Sequence, residues 1–224
     1  MKICGITRAQ DAALAADLGA SAIGFVFWPG SPRYISPEAA REIVRLNASP
    51  VKTVGVFVDA SVEHLVEVMD AVGLDAAQLH GHESAEYCRQ VMSRLSASAE
   101  ATARPRRSAS REGGKKDRAV IKAIGLQDTD KMMLNEFDSD VLILVDAHDP
   151  SLRGGTGRTV NWDSARQIAA ARKTILAGGL TPENVGRAVD SVKPYGVDVS
   201  SGVESAPGVK DADRLNRFFE ALNE

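Results

Sequence analysis

The chain has 224 residues, 44% of them hydrophobic and 25% charged, enough to bury one substantial core and ordinary for a globular protein. A formal net charge of −3 leaves no electrostatic footprint for nucleic acid or an anionic membrane, and no apolar run approaches the roughly 20 residues of a membrane span. Two cysteines, Cys4 and Cys88, make no disulfide framework; with no signal-peptide pattern before the first structured run, a reducing, cytoplasmic setting is expected.

Short apolar runs alternate with helical periods along the whole chain. "KICG" (2–5), "AIGFVF" (22–27), "TVGVFV" (53–58), "AAQL" (76–79), "AVIKAIG" (119–125), "VLILVD" (141–146), "TILAGG" (174–179) and "GVDVSS" (196–201) are nearly continuous in apolar residues. That is how strands buried on both faces read. The amphipathic stretches between and after them are "RAQDAALAADLG", "SPEAAREIVRLN", "SVEHLVEVMDAVG", "ESAEYCRQVMSRL", "LQDTDKMMLNEF", "NWDSARQIAAAR", "TPENVGRAVDSV" and "KDADRLNRFFEAL". Ser36 with Pro37, and Thr181 with Pro182, read as N-caps followed by proline at the first helical position. Eight strand–helix units in this length predict an α/β fold, a single (β/α)₈ barrel over 1–224. No GxGxxG follows the first strand, as a dinucleotide-binding open sheet would require.

Residues 96–118, "SASAEATARPRRSASREGGKKDR", interrupt the rhythm. They almost lack large apolar side chains, so they read as a flexible, net-basic insertion between the fourth helix and the fifth strand, away from the expected active face.

In such a barrel the chemistry belongs at the carboxyl ends of the strands. Gly178 and Gly179 end the seventh strand, and Ser200, Ser201 and Gly202 follow the eighth. Their free backbone N–H groups suit a phosphate, and Gly154 to Gly157 after the sixth strand could close the same pocket. Asp146 ends the most apolar strand, where a carboxylate is costly unless used or paired; Asp198 stands similarly on the eighth. Arg33, on the loop after the second strand, could fork onto a carboxylate. Gln78 and His80 point the same way at the end of the fourth strand. His80 and His82 alone do not supply the three or four ligands of a metal site. Cys88, within a helical stretch, reads as core packing. Cys4, where the first strand stops, is open to four uses: small hydrophobe, metal ligand, disulfide half or working thiol. Lys122, a lysine within a strand, raises the rival reading of a Schiff-base aldolase or synthase.

Together "KICGIT", "GFVFWPGSPRYIS", "VGVFV", "QLHG", "GGTG", "LAGGLTPENV" and "VDVSSGVESAPGVKD" resemble the phosphoribosylanthranilate isomerases over essentially the whole chain outside the insertion. The resemblance implies an Amadori rearrangement of N-(5-phosphoribosyl)anthranilate in tryptophan biosynthesis, without metal or organic cofactor. It implies Cys4 as general base and Asp146 as general acid, Arg33 on the anthranilate carboxylate, and Gln78, His80 and Asp198 lining the pocket. Gly178, Gly179, Ser200, Ser201 and Gly202 would bind the phosphate. The implied partner is a small-molecule substrate, with neither nucleic acid nor membrane, and a monomer is favoured.

Overall fold

Eight parallel strands close on themselves in chain order. They are β1 (Lys2–Ile3), β2 (Ala22–Val26), β3 (Lys52–Phe57), β4 (Ala76–Leu79), β5 (Ala119–Ile124), β6 (Leu142–Asp146), β7 (Thr174–Ala177) and β8 (Gly196–Val199). The ring shuts where Lys2 pairs with Asp198 and Ile3 with Val199. In this computed structural model the described residues are 1–47, 49–101, 118–126, 134–146 and 162–223, with only the backbone described for 99–101. Seven α-helices fall within them: α1 (Ala9–Asp17), α2 (Pro37–Leu46), α3 (Val62–Val72), α4 (Ala85–Ala101), α5 (Trp162–Ala171), α6 (Val185–Val192) and α7 (Ala212–Asn223). The predicted barrel is therefore the observed fold.

The strand period of two sorts the core into two layers. Ile3, Ile23, Phe25, Phe27, Phe57, Leu79 and Ile143 point outward against the helices, and Phe27 stacks on Phe57 at 5.4 Å between ring centroids. Each such fully buried side chain contributes roughly 1.5–3 kcal/mol by leaving water. Inside the ring Val54, Ala76, Ile121, Ala123, Leu144, Ile175 and Ala177 form an apolar plug. Cys4, Val26 and Val56 make the next layer. The filled interior confines ionisable groups to the strand ends.

Helix starts follow the sequence with one exception. Ser36 accepts from the Ala39 N–H and Ser61 from the His64 N–H. Thr181 does not cap α6, which begins at Val185 after Asn184. Instead the Thr181 carbonyl accepts from the Asn184 and Val185 N–H groups, while the Asn184 side chain accepts from the Thr181 N–H. The reciprocal bonds tighten an extra turn ahead of the helix.

An unexpected hairpin, β9 (Glu204–Ala206) with β10 (Val209–Lys210), follows a 3₁₀ turn at Ser201–Val203. The first residues of the expected insertion, 96–101, are the last turns of α4. Residues 102–117 of that segment lie outside the described residues, as do Gly154 to Gly157, His148 and most of the helix expected at 126–137, of which a 3₁₀ turn at Leu134–Glu136 is described.

Candidate active site

Cys4 sits one residue past β1 and donates its backbone N–H to the Val199 carbonyl at 2.8 Å, so the barrel closure itself fixes its backbone. Its side chain points inward, as does that of Lys2 two residues earlier. Both are buried. Lys2 Nζ donates to Asp198 Oδ2 at 2.9 Å, an ion pair almost sealed from solvent. Gly24 makes room for them: a Cβ there would lie 2.9 Å from the Cys4 sulfur and 3.2 Å from Lys2 Nζ. Burial pushes the Cys4 thiol up; the Lys2 and Lys210 ammonium groups oppose the shift and Asp198 adds to it, leaving the thiol raised. Burial pulls the Lys2 ammonium down, but the charges of Asp198 and Cys4 and hydrogen bonds to both outweigh it and leave it raised.

Across the mouth, Asp146 ends β6 half-exposed, with Oδ2 3.6 Å from His80 Nε2. Gln78 is buried in the barrel interior, and its Nε2 lies 3.0 Å from His80 Nδ1. With the amide nitrogen donating, Nδ1 accepts, so a neutral His80 carries its proton on Nε2, toward Asp146. Gln78, His80 and Asp146 thus form one chain of polar groups from the barrel interior to its rim.

The expected phosphate residues converge at the ends of β7 and β8. Gly178 and Gly179 have φ of 89° and 64°, a backbone that a side-chain residue adopts only with strain. At Gly202 a Cβ would overlap the Leu180 carbonyl, so the two loops touch backbone to backbone. Gly179, Thr181, Ser201 and Gly202 line one cleft of about 410 Å³ together with Arg214, Arg217 and Glu183, the last paired with Arg217 at 2.9 Å. Opening a 3₁₀ turn, the N–H groups of Ser201 and Gly202 have no carbonyl one turn back. The Ser200 hydroxyl, buried at the same strand end, has no hydrogen-bond partner among the described residues. Free donors and basic side chains at one strand end suit an oxyanion.

Arg33 is held differently from a ready carboxylate clamp. Its Nε lies 3.0 Å from Oε1 and its Nη2 2.7 Å from Oε2 of the buried Glu204. Lys210 Nζ donates to the same carboxylate at 2.7 Å and to the Ser200 carbonyl at 3.2 Å. Burial alone would push the Glu204 carboxyl up; hydrogen bonds and charges from Arg33 and Lys210 win and leave it lowered. The Arg33 stem crosses Gly5, where a Cβ would lie 2.6 Å from Arg33 Cδ and 2.9 Å from Ser200 Oγ. The guanidinium is therefore beside both Cys4 and the phosphate cleft, with Nη1 as the nitrogen not bonded to Glu204.

Other candidates leave the site. Lys122 faces outward from β5; its Nζ donates to Oε2 of the buried Glu83 at 2.9 Å and to the part-buried Gly81 carbonyl at 2.7 Å. It is a structural ion pair and cannot reach a substrate in the barrel mouth. His82 is almost wholly exposed and pairs with Asp59 instead of joining His80, and no group of three or more metal-ligating side chains exists among the described residues. Cys88 is buried on α4 and, pushed up to about 11 by burial, is a packing residue. The sequence reading missed Lys2, Gly24, Glu204 and Lys210. Lys2 was within reach, since a residue two before Cys4 on a strand must share its face.

Fold and site together define a (β/α)₈-barrel protein whose ionisable side chains and glycine-rich turns gather at the carboxyl ends of its strands, the arrangement of a barrel enzyme. The family model for N-(5'-phosphoribosyl)anthranilate isomerase matches residues 1–221. The N-(5'-phosphoribosyl)anthranilate isomerase of Pelobacter propionicus is 42% identical over all of this chain and 95% of its own length. The crystal structure of phosphoribosyl anthranilate isomerase from Thermotoga maritima superposes with a TM-score of 0.81 at 40% identity, covering 99% of this chain and 97% of that one. A crystal structure of a phosphoribosyl anthranilate isomerase in complex with reduced 1-(o-carboxyphenylamino)-1-deoxyribulose 5-phosphate gives a TM-score of 0.78 at 38% identity over 99% of this chain and 97% of that one. The chain belongs to the N-(5'-phosphoribosyl)anthranilate isomerase family.

Proposed function

We propose that this chain isomerises N-(5-phosphoribosyl)anthranilate to 1-(2-carboxyphenylamino)-1-deoxyribulose 5-phosphate, in tryptophan biosynthesis, with Asp146 as general acid and Cys4 as general base. The observation that carries the assignment of roles is their placement. The two groups end β6 and β1 across one barrel mouth, above an apolar plug of which Val54, Leu144 and Ile175 are part. A sugar ring between them is open to one group at its ring oxygen and to the other at carbon 2.

Asp146 gives its proton to the furanose oxygen as the bond from that oxygen to carbon 1 breaks, and the anthranilate nitrogen lone pair forms the protonated, positively charged imine. The carbon 2 hydrogen is then acidic, and the Cys4 thiolate takes it as the electrons move to the carbon 1–carbon 2 bond and the imine is neutralised to an enolamine. Tautomerisation gives the ketone; solvent exchange returns the proton to Asp146 and removes it from Cys4. No oxidant enters, because carbon 1 is reduced as carbon 2 is oxidised, and no step calls on a metal or organic cofactor. The phosphate, held by Gly178, Gly179, Ser200, Ser201 and Gly202, anchors the end of the substrate that does not react. Arg33 reaches the anthranilate carboxylate through Nη1, its other donors staying on Glu204. Gln78 and His80 line the wall beside Asp146, and Asp198 lies below Cys4. The reading includes a monomeric state and a cytoplasmic setting, on the sequence expectation alone.

The test is the decay of anthranilate fluorescence when purified protein meets freshly made phosphoribosylanthranilate. Turnover is expected in wild type. With Cys4→Ala and with Asp146→Asn, kcat should fall by about 10³-fold or more while a phosphate-bearing product analogue still binds. Near-wild-type turnover in either variant would remove that residue from its role.

A further inference from the structure

We propose that Lys2 is a positioning residue that stabilises the thiolate of Cys4 against the cost of burial whenever it forms, and that Asp198 serves chiefly to fix Lys2 beneath the sulfur. This deepens the reading of Cys4 as the base. Lys2 and Cys4 lie on the same interior face of the first strand, and Asp198 is the register partner of Lys2 across the barrel closure. The Lys2–Asp198 contact at 2.9 Å is almost sealed from solvent, where a cation is costly unless an anion balances it. One carboxylate does so for Lys2, and the thiolate of Cys4 above Gly24 is a second anion beside it.

Four charged groups bear on the sulfur. Lys2 comes from β1, Asp198 from β8, Lys210 from β10 and Arg33 from the loop after β2. Lys210 and Arg33 are both bonded to Glu204, which offsets part of their charge. Lys2 is the cation for which Cys4 competes with one bonded carboxylate alone. Burial opposes the thiolate, and the Lys2 ammonium favours it by charge and as a hydrogen-bond donor. Asp198 Oδ1, buried and with no hydrogen-bond partner among the described residues, is the remaining polar atom of the group.

The experiment follows alkylation of Cys4 by uncharged iodoacetamide against pH, with no substrate present, and reads the Cys4 and Cys88 peptides separately by mass. The state of the thiol is thereby measured whether or not Cys4 is the base. Lys2→Met should move the Cys4 midpoint up by about one unit, a tenfold smaller thiolate fraction at fixed pH. Lys2→Arg should recover most of the shift, and kcat should follow the thiolate fraction with KM little changed. Because Lys2→Met leaves Asp198 buried and unpaired and can unfold, the pair Asp198→Asn and Lys2→Met/Asp198→Asn gives the same comparison without that carboxylate; the second must titrate higher than the first. A midpoint unmoved by loss of Lys2 in a folded variant, or moved equally by Arg and Met, overturns the proposal.

Discussion

His80 Nε2 lies 3.6 Å from Asp146 Oδ2 while its other ring nitrogen lies 3.0 Å from the Gln78 amide. One buried amide therefore sets the tautomer of an imidazole, and the imidazole presents its proton to a carboxyl at the rim. His80→Asn should lower kcat by about 10- to 100-fold, the cost of a misplaced catalytic group. Binding of a phosphate-bearing product analogue should stay within about threefold of wild type. Loss of binding with kcat intact would make His80 a substrate contact instead.

The pH profile should report the thiol once the acid is removed. Burial raises Cys4 above its ordinary range, and a thiol takes up a proton only when deprotonated. Turnover also needs Asp146 protonated, so the wild-type profile is a bell; in Asp146→Asn, where the acid no longer titrates, the residual kcat/KM should climb with pH through neutrality, about tenfold per unit, and level off only in the alkaline range. A plateau already present at acidic pH would mean that another group takes the carbon 2 proton.

Gly24→Ala tests the packing under the base. Its methyl carbon would come 2.9 Å from the sulfur and 3.0 Å from Lys2 Cε, forcing one of them to move. Expected is a loss of about 10²-fold in kcat. Far-UV circular dichroism should be unchanged. Wild-type turnover would show that the sulfur does not need its present place.

Lys122→Met should act on stability and spare chemistry. It leaves Glu83 buried without its ammonium partner, which costs about 3–5 kcal/mol; kcat per folded molecule should be unchanged. Chemical denaturation and turnover on the same preparation check both halves. Borohydride trapping with substrate should mark no lysine.

Acid should strike first at Glu204. Its carboxyl is lowered in the folded protein despite burial, so its stabilising contribution is complete above the unfolded value of about 4.3 and is lost as pH falls through the lower folded value. The stability of Glu204→Gln should change less between about pH 2.5 and 5 than that of wild type. Equal slopes in denaturation series over that range would place the acid sensitivity elsewhere.

The barrel was legible because its strands are buried on both faces, so runs such as "VLILVD" stand out from any neighbour. Cys4 and Asp146 were legible as polar or reactive groups stopping apolar strands, and Gln78 with His80 through the period of two. Thr181 misled because a Ser/Thr–Pro pair signals a cap, while the Asn184 side chain captured the Thr181 N–H. The partner of Arg33 was beyond reach, since Glu204 lies 171 positions along the chain. It sits on a strand of three residues, too short to show a period.

Cys4 is held by Val199 through the backbone, Lys2 by Asp198 through charge, and Thr7 by Gly208 through its hydroxyl. Cys4 thus stands on the seam between the first and last strands, residues almost the whole chain apart. During refolding these contacts demand the largest loop closure the chain can make. Regain of turnover should therefore trail regain of helix signal. Activity here is a stopwatch for the instant at which the two ends of the chain meet.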